Sequence, residues 1–350
     1  MSNNERTTKR RLPVRALTRL ALLIFVSTVL GVLGLAVGIQ AASASTAGVT
    51  GTTGDDEFKL TTTGNLLEVS VNGTLVLKQT DVSSISLTGG GGNDTITTAG
   101  EPLEADLEAV SDGLEIVSGS SITGDIELTA FGDITIQSST SVGGDLEMIA
   151  VDTIAIQTGT NIQGDTTLAT TDFMGTITAT DIDITGTLNI DTNNATISTT
   201  GDLELGGSSL IGNDLQIIAK GDIDIQTDTE IDGDAELIAT GDITATNVDI
   251  TGTITVDTNN ATISADDIEV GADSSIGGDL EIDAVDTITI QTGTNIDGNA
   301  TLLTISASGD ITATDIDITG TLNIDTNNAT ISTTGDLELC LLYTSPSPRD

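Results

Sequence analysis

The sequence contains no His and no Trp, and only one Tyr and four Phe among its 350 residues. The absence of His excludes Ser-His and Cys-His catalytic pairs. Conventional globular cores depend on aromatic side chains, so their scarcity argues against such a core. The apolar residues are mostly Ile, Leu, Val and Ala, and Thr, Gly and Asp fill much of the rest. Because β-branched residues favour strands and Gly and Asp favour turns, this composition predicts an all-β protein.

Basic residues are scarce and unevenly placed. Ten Lys and Arg stand against 53 Asp and Glu, and six of the ten lie in the first nineteen positions. Residues 45–339 hold three Lys and 51 carboxylates, so this region carries a charge near −48. Such a surface repels nucleic acid and anionic lipid, which excludes a nucleic-acid partner. It suits divalent cations, a cationic partner or plain solvation.

The N-terminal segment has the order of a targeting sequence. Residues 6–19 are basic, residues 20–39 form an apolar run, and Ala42-Ser43-Ala44 is a small-residue cleavage pattern. Residues 1–44 are therefore predicted to be a secretory signal peptide that is cleaved after Ala44. The apolar run is also long enough to span a bilayer as an uncleaved signal anchor. Either alternative places the body outside the cytoplasm and confines membrane contact to this segment.

The last eleven residues, 340–350, break the trends of the rest of the chain. They hold the only Cys, the only Tyr and two of the four Pro, and they interrupt a repeat directly after Leu339. They resemble the in-frame translation of a sequencing-library adaptor, so we exclude them from the fold prediction. This interpretation implies that Cys340 carries no redox or catalytic information and that the natural gene continues past Leu339.

Internal repeats dominate the remaining sequence. Residues 178–205 recur identically at 312–339, and a diverged copy begins at Thr244. A shorter unit, apolar-x-Gly-x-apolar-x-apolar, is typified by ITGDIEL and tolerates some variation. Its copies begin at Ile122, Val142, Ile162, Ile184, Ile211, Ile231, Ile250, Ile276, Ile296 and Ile318. The intervals after Ile184 and after Ile250 are longer than the others, so the long period is three short units, one of them stretched.

The short unit predicts the architecture. A unit of about 20 residues is too short to fold alone. It contains runs such as GDITI, in which apolar and polar residues alternate, so one face is buried and the other is solvated. Stacking such units builds a continuous core. We therefore predict a parallel β-helix, or β-solenoid, over residues 103–339 with coils of about 20 residues. An antiparallel sandwich fits near-identical tandem units less well.

Paired Asn residues occupy one position of the long repeat, at Asn193-Asn194, Asn259-Asn260 and Asn327-Asn328. Asn tolerates the left-handed backbone conformation better than most residues. The pairs therefore predict corner turns with left-handed Asn, and ligand binding is the alternative.

The style of the repeats, as in ITGDIEL and IGGDLEI, points to a family. The body from about Leu103 to Leu339, about two thirds of the chain, resembles the passenger regions of bacterial secreted β-helix adhesins of the filamentous-haemagglutinin and autotransporter kind. The resemblance implies export, a right-handed β-helix and adhesion to cells or surfaces. The ligand it implies is a cell-surface, carbohydrate or protein molecule that the sequence does not identify.

Residues 45–102 differ and predict a Gly/Asp-rich β capping module. Residues 89–97 (GGGGNDTIT) fit G-G-x-G-x-D-x-U-x and so resemble the calcium nonapeptide of repeat-in-toxin proteins, and residues 51–58 (GTTGDDEF) match it loosely. The glycines let carbonyls turn toward a hard cation, and the aspartates add charge and oxygen. The resemblance thus implies Ca²⁺ at Gly90, Gly92 and Asp94, with Gly54, Asp55 and Asp56.

Such a calcium site requires tandem copies, and here the two copies are well separated in sequence, beginning at Gly51 and at Gly89. They meet only if the strands between them fold back. The alternative interpretation is two Gly/Asp turns that flank strands such as LLEVSV and SISLTG.

Enzymatic functions find less support. Parallel β-helices also host pectin-degrading enzymes, but lyases of that type need Arg or Lys for an anionic substrate, and residues 45–339 contain no Arg. A hydrolase needs two carboxylates at a set separation, and here carboxylates recur in every repeat, which indicates architecture. No P-loop occurs.

We therefore predict a non-catalytic, exported structural or adhesive β-solenoid. The alternatives are a calcium-binding extracellular repeat protein and a β-helix polysaccharide-active enzyme. An exposed terminal coil also predicts edge-to-edge self-association.

Overall fold

A computed structural model describes residues 45–341 except 173, 208, 307–308, 327 and 334–337. The predicted signal peptide, its cleavage site at Ala44 and residues 342–350 lie outside the described residues, as does Asn327. No helix among the described residues is long and apolar enough to cross a bilayer.

The described chain is built of β-strands joined by short turns. In chain order the strands are β1 (Ser45–Thr50), β2 (Glu57–Thr63), β3 (Leu66–Val71), β4 (Thr74–Thr80), β5 (Val82–Thr88), β6 (Asn93–Gly100), β7 (Asp106–Ser111), β8 (Gly113–Ile116), β9 (Ser121–Ile122), β10 (Ile126–Ala130), β11 (Ile134–Ile136), β12 (Ser141–Val142), β13 (Leu146–Ala150), β14 (Thr153–Ile156), β15 (Asn161–Ile162), β16 (Thr166–Thr170), β17 (Thr176–Ile184), β18 (Leu188–Thr192), β19 (Asn194–Thr199), β20 (Leu203–Leu205), β21 (Leu210–Ile211), β22 (Leu215–Ala219), β23 (Ile223–Ile225), β24 (Glu230–Ile231), β25 (Ala235–Ala239), β26 (Ile243–Ala245), β27 (Asp249–Ile250), β28 (Ile254–Thr258), β29 (Ala261–Val270), β30 (Ser275–Ile276), β31 (Leu280–Ile290), β32 (Asn295–Ile296), β33 (Ala300–Thr304), β34 (Asp310–Ile318), β35 (Thr321–Asp325), β36 (Asn328–Thr333) and β37 (Glu338–Leu341).

The strands stack as a parallel β-solenoid, which confirms the predicted fold class. A typical coil contains three strands, such as β10, β11 and β12, and each pairs in parallel with the strand one coil later. Ile126 pairs with Leu146, and Leu146 pairs with Thr166, so the coils follow one another at the spacing of the short sequence repeat. Burial alternates along strands such as β13 and β18, as the period-two pattern of the sequence predicts.

The core is a set of ladders in which equivalent inward residues of successive coils lie on one another. One ladder follows the register of the pairings from the first strand to the last, and all its described side chains are buried. Its members are Ala47, Ile85, Leu107, Ile126, Leu146, Thr166, Leu188, Leu205, Ile225, Ala245, Ile263, Ile282, Leu302, Ile324 and, by backbone register, Leu341. A single coil buries few apolar groups, so the ladders supply the core that one coil lacks.

The stretched unit of the long repeat does not make a longer coil. Leu188 pairs with Leu205, and Ala195 pairs with Leu215, so paired residues are no further apart in sequence here than in the regular coils. The extra residues place the next copy of the short repeat on the following side of the coil. β22 therefore pairs with β19 and not with β18. The same shift recurs at β28, which pairs with β30.

The segment over residues 45–102 begins the same stack. β1 pairs with β5 and β5 with β7, while β2 pairs with β6 and β6 with β8, all in parallel. Between β2 and β5 the chain makes two antiparallel hairpin turns, so β3 lies beside β2 and β4 lies beside β3. Asn72-Gly73 forms the second turn with both residues at positive φ, which is the strongest short-range hairpin signal in a sequence.

The prediction of left-handed Asn at the repeated pairs is wrong for the described members. Asn193, Asn194, Asn259, Asn260 and Asn328 do not have positive φ. The left-handed positions of the long repeat are instead Asp181, Asn247 and Asp315. Asn259 and Asn260 do lie at a corner, between β28 and β29, where their side-chain amides bond to the preceding coil.

Candidate functional site

The two Gly/Asp motifs, far apart in sequence, lie directly on one another in the structure. Strands β3 and β4 fold back, as a shared site requires, and Glu57 then pairs with Thr95 in adjacent coils. The loop over residues 51–56 therefore stacks on the loop over residues 89–94. The two loops are joined by backbone bonds at their margins, from Gly51 N–H to Thr88 O and from Thr95 N–H to Asp56 O.

Asp56 and Asp94 are the buried centres of the two stacked loops, with 2% and 0% of their surface exposed. Asp94 Oδ1 accepts the backbone N–H of Asp56 at 2.8 Å, and Asp94 Oδ2 accepts the Ser111 hydroxyl. Asp56 Oδ2 accepts the backbone N–H of Thr52, and Asp56 Oδ1 accepts the Asn72 amide at 2.6 Å. All four carboxylate oxygens thus have donors from the protein itself.

The surroundings of the two aspartates shift their pKa values in opposite directions. The backbone N–H of Thr52 holds the pKa of Asp56 below its ordinary value, against the opposing effect of burial. Burial raises the pKa of Asp94, and the carboxylates of Asp56 and Asp55 raise it further, although the Ser111 hydroxyl and the Asp56 N–H oppose the rise. The surroundings of the pair therefore favour the charge on Asp56 and disfavour it on Asp94.

The other predicted site residues serve the contact between the loops. Asp55 is exposed, and its Oδ1 accepts the backbone N–H of Asn93 at 2.9 Å. Gly90 and Gly92 have positive φ of 98° and 85°, and a Cβ at either would collide with the backbone of the loop below. Gly54 lies in open space. Gly90 and Gly92 thus permit close stacking of the two backbones.

The carboxylate oxygens of these two loops are engaged by groups of the protein itself. Calcium requires six to eight oxygen ligands that are free to point at the ion, whereas the buried carboxylate oxygens here face N–H and O–H donors. Within the described ranges, no group of three or more carboxylates is placed to share a metal ion. The buried carboxylates of the motif thus bond within a pair of stacked turns.

Aspartate side chains along the rest of the solenoid also accept backbone hydrogen bonds from the adjacent coil. Asp125 Oδ1 accepts the backbone N–H of Asp145 at 2.9 Å, and Asp145 Oδ1 accepts that of Asp165 at 2.9 Å. An exposed Asx ladder, defined as a column of Asp or Asn side chains that each bond to the next coil, thus runs along a corner. Three such ladders comprise Asp106, Asp125, Asp145 and Asp165; Asn194, Asp214 and Asp234; and Asp202, Asp222, Asp242, Asn260, Asp279 and Asn299.

The Gly-Asp dipeptide of the repeats follows from this geometry. Gly144 lies over the carboxylate of Asp125, and a Cβ at Gly144 would collide with Asp125 Oδ1. The oxygen would then lose its bond to the N–H of Asp145. Because Asn takes the place of Asp at Asn194, Asn260 and Asn299, the ladder uses the side-chain oxygen and does not depend on the charge. The recurring G-D and G-N pairs were the available sequence signal for these ladders.

A shallow groove of about 490 Å³ lies on the side face next to the Asn194–Asp214–Asp234 ladder. Its floor includes the outward residues Gln216 and Glu236, whose side chains bond to each other across adjacent coils. The groove spans several coils and is lined by equivalent positions of the repeat. It resembles the rest of the solenoid surface in chemistry and contains no distinct constellation of its own.

Comparison with protein-family models, with curated proteins and with solved structures finds no match.

Proposed function

We propose that this chain is a non-catalytic, exported β-solenoid that acts as a structural or adhesive rod at the cell surface or outside the cell. The observation that carries the proposal is the uniformity of the coils. A core ladder continues from the first strand to the last, and Asx ladders recur at the corners of successive stretches of coils, so each coil supports its neighbours and presents similar outward groups. Repeated surfaces of this kind suit extended contact with a partner better than chemistry at one point.

The N-terminal sequence supports the extracytoplasmic location. A basic region, an apolar run and the Ala42-Ser43-Ala44 pattern form the order of a secretory signal. The charge near −48 of residues 45–339 supports a location in water and disfavours contact with nucleic acid or anionic lipid. The partner of the rod is a cell-surface, carbohydrate or protein ligand.

Two measurements test the proposal. The chain is expressed in a bacterial host with its leader, and the extracytoplasmic material is sequenced from its N-terminus, where Ser45 is the expected first residue. Beads coated with the exported chain are then tested for retention on cells and on polysaccharide surfaces. Retention that is lost after heat unfolding supports an adhesive solenoid. A chain that stays in the cytoplasm, or coated beads that are retained no better than albumin-coated beads, contradicts it.

The calcium-binding alternative has one observation in its favour, which is the stacking of the loops around Asp56 and Asp94. It differs from the main proposal in a measurable way. If bound calcium orders the fold, a chelator removes the β signal in circular dichroism, and if the solenoid stands on its own ladders, the signal persists.

A further inference from the structure

Strand β4 (Thr74–Thr80) is the outer edge of the hairpin that extends from the first coil. It pairs with β3 on one side, and none of the described strands pairs with its other side. Every residue of β4 is exposed or half-buried. The unpaired N–H and C=O groups of such an edge are a template for another strand.

The side chains of β4 are typical of a strand that is covered by a partner. Leu75 and Val76 are 54% and 51% exposed, although they are adjacent in sequence and lie on an open edge. Edge strands are usually protected by charge, and the one charged residue of β4 is Lys78. Its ammonium is paired with the carboxylate of Glu68 on β3, so this protection is largely neutralised.

The distribution of charge indicates which partner fits. Residues 45–339 carry a charge near −48, so two copies of the chain repel each other over most of their surface. Strand β4 contains no carboxylate and holds one of the three Lys of this region. β4 therefore lacks the carboxylates that repel a second copy over the rest of the surface.

The position of β4 also separates the acidic bodies of two copies. β2 pairs with β6 of the second coil on one side and with β3 on the other, so β3 and β4 continue this sheet past the first coil. β3 buries Val69 in the common core, and Gln79 of β4 donates to Ser45 of β1 at 3.0 Å, so the hairpin closes the end of the stack. If β4 of one copy pairs antiparallel with β4 of another, the two solenoids point in opposite directions. The acidic coils then lie as far apart as an edge contact allows.

We propose that two copies of this chain dimerise by antiparallel pairing of β4 with β4 about a two-fold axis, which joins their hairpins into one sheet. A two-fold axis makes the same patch serve both partners, so a single strand is sufficient. The contact satisfies the open backbone groups of the edge and covers Leu75 and Val76. It is independent of the adhesive role.

Analytical ultracentrifugation of the purified chain at physiological salt tests this dimer. The wild type is expected at twice the monomer mass, and the double variant L75K/V76K at the monomer mass, because four added charges meet at the interface. The matched control M174K/I305K makes the same change at two apolar residues that are 75% and 70% exposed elsewhere, and it is expected to remain dimeric. A monomeric wild type, or an L75K/V76K chain that still dimerises, overturns the proposal.

Hydrogen exchange on the wild type removes any dependence on how the variants fold. The amides of β4 are expected to lose protection on dilution, while those of the internal strand β28 keep theirs. Exchange in β4 that is independent of concentration overturns the proposal even if the chain associates through another surface.

Discussion

Asp56 and Asp94 occupy equivalent positions one coil apart, yet their surroundings give them opposite preferences. Asp56 accepts the Thr52 N–H and the Asn72 amide, neither of which can act as an acceptor, as well as the Thr52 hydroxyl. Its pKa is lowered chiefly by the Thr52 N–H. Asp94 is fully buried, so its pKa is raised, and its second oxygen faces a hydroxyl that can either donate or accept. Individual aspartates in this protein therefore differ in whether they need their charge.

The substitutions D94N and D56N should have different effects. In D94N the amide oxygen still accepts the Asp56 N–H, and the amide nitrogen donates to Ser111 Oγ. We expect D94N to be at least as stable as the wild type at about pH 7, because it removes a buried charge. The difference should shrink as the pH falls through the raised pKa of Asp94, because the wild-type carboxyl then becomes neutral. Urea unfolding at several pH values measures it.

In D56N an amide nitrogen must face the Thr52 N–H or the Asn72 amide, so we expect a loss of about 1–3 kcal/mol at about pH 7. The lowered pKa of Asp56 means that its contribution persists above about pH 3.9 and is lost below it. A D94N variant that is less stable than D56N at neutral pH would contradict this account, since that order is expected if Asp94 holds a cation.

Two buried threonines provide a matched pair. Thr166 lies in the core ladder between Leu146 and Leu188 with 0% exposure, and its Oγ1 has no hydrogen-bond partner. Thr160 is equally buried, but its Oγ1 donates to Gln157 O at 2.8 Å. We expect T166V to raise the free energy of unfolding by about 1–2 kcal/mol and T160V to lower it by about 1 kcal/mol. Denaturant midpoints of the two variants measure this, and equal shifts in one direction would refute it.

At the scale of structural elements, the close stacking of successive coil corners requires glycine. A methyl group at Gly144 would collide with Asp125 Oδ1, so we expect G144A to lower the free energy of unfolding by about 1–3 kcal/mol. Gly48, which has open space around it and no positive φ, is the control, and G48A should be neutral or slightly stabilising. Thermal unfolding of both variants measures the effect. If G48A proved as harmful as G144A, a general effect of glycine in strands would explain both.

Much of the element structure was predictable from alternation alone. Runs such as GDITI specify a strand with one buried face, and the regular spacing of the short repeat specifies the length of a coil. Alternation does not specify which side of the coil a strand occupies. That depends on the number of residues in the corners, and so the shift of β22 onto β19 was not foreseen.

The candidate site was partly predictable. The glycine and aspartate positions of the two motifs follow from the sequence pattern. The Asn72-Gly73 dipeptide is a hairpin signal, and it indicates that the strands between the motifs fold back. The donors that occupy the carboxylates were not predictable. Thr52 lies in the same loop, but Asn72 and Ser111 reach the aspartates only through the pairing of the strands.

For the whole molecule, the carboxylate charges determine how stability depends on pH. Burial raises the pKa of Asp94, Asp191 and Glu230, and Asp232 and Asp249 raise that of Glu230 further. A raised folded-state pKa opposes folding at neutral pH, and this opposition falls away as the pH drops toward the unfolded value near 4. Since Asp56 has a lowered pKa, its contribution is kept over that range. We expect stability to increase as the pH falls from about 7 toward the unfolded value.

Urea midpoints across this pH range measure the effect. Added NaCl at neutral pH is the control and should act in the same direction, because it screens repulsion between the carboxylates. Stability that decreases steadily from neutral to mildly acid pH would be incompatible with the proposed balance of charge.

The central claim is that the carboxylates of the coils accept hydrogen bonds from the stack itself, so that the solenoid stands without a bound divalent cation. Circular dichroism during heating tests it most directly, in chelator, in Ca²⁺ and in Mg²⁺ at matched ionic strength. The account predicts a full β signal in chelator and equal increases of the midpoint in Ca²⁺ and Mg²⁺, since both only screen charge. A β signal that collapses in chelator and returns with Ca²⁺ but not with Mg²⁺ would contradict it.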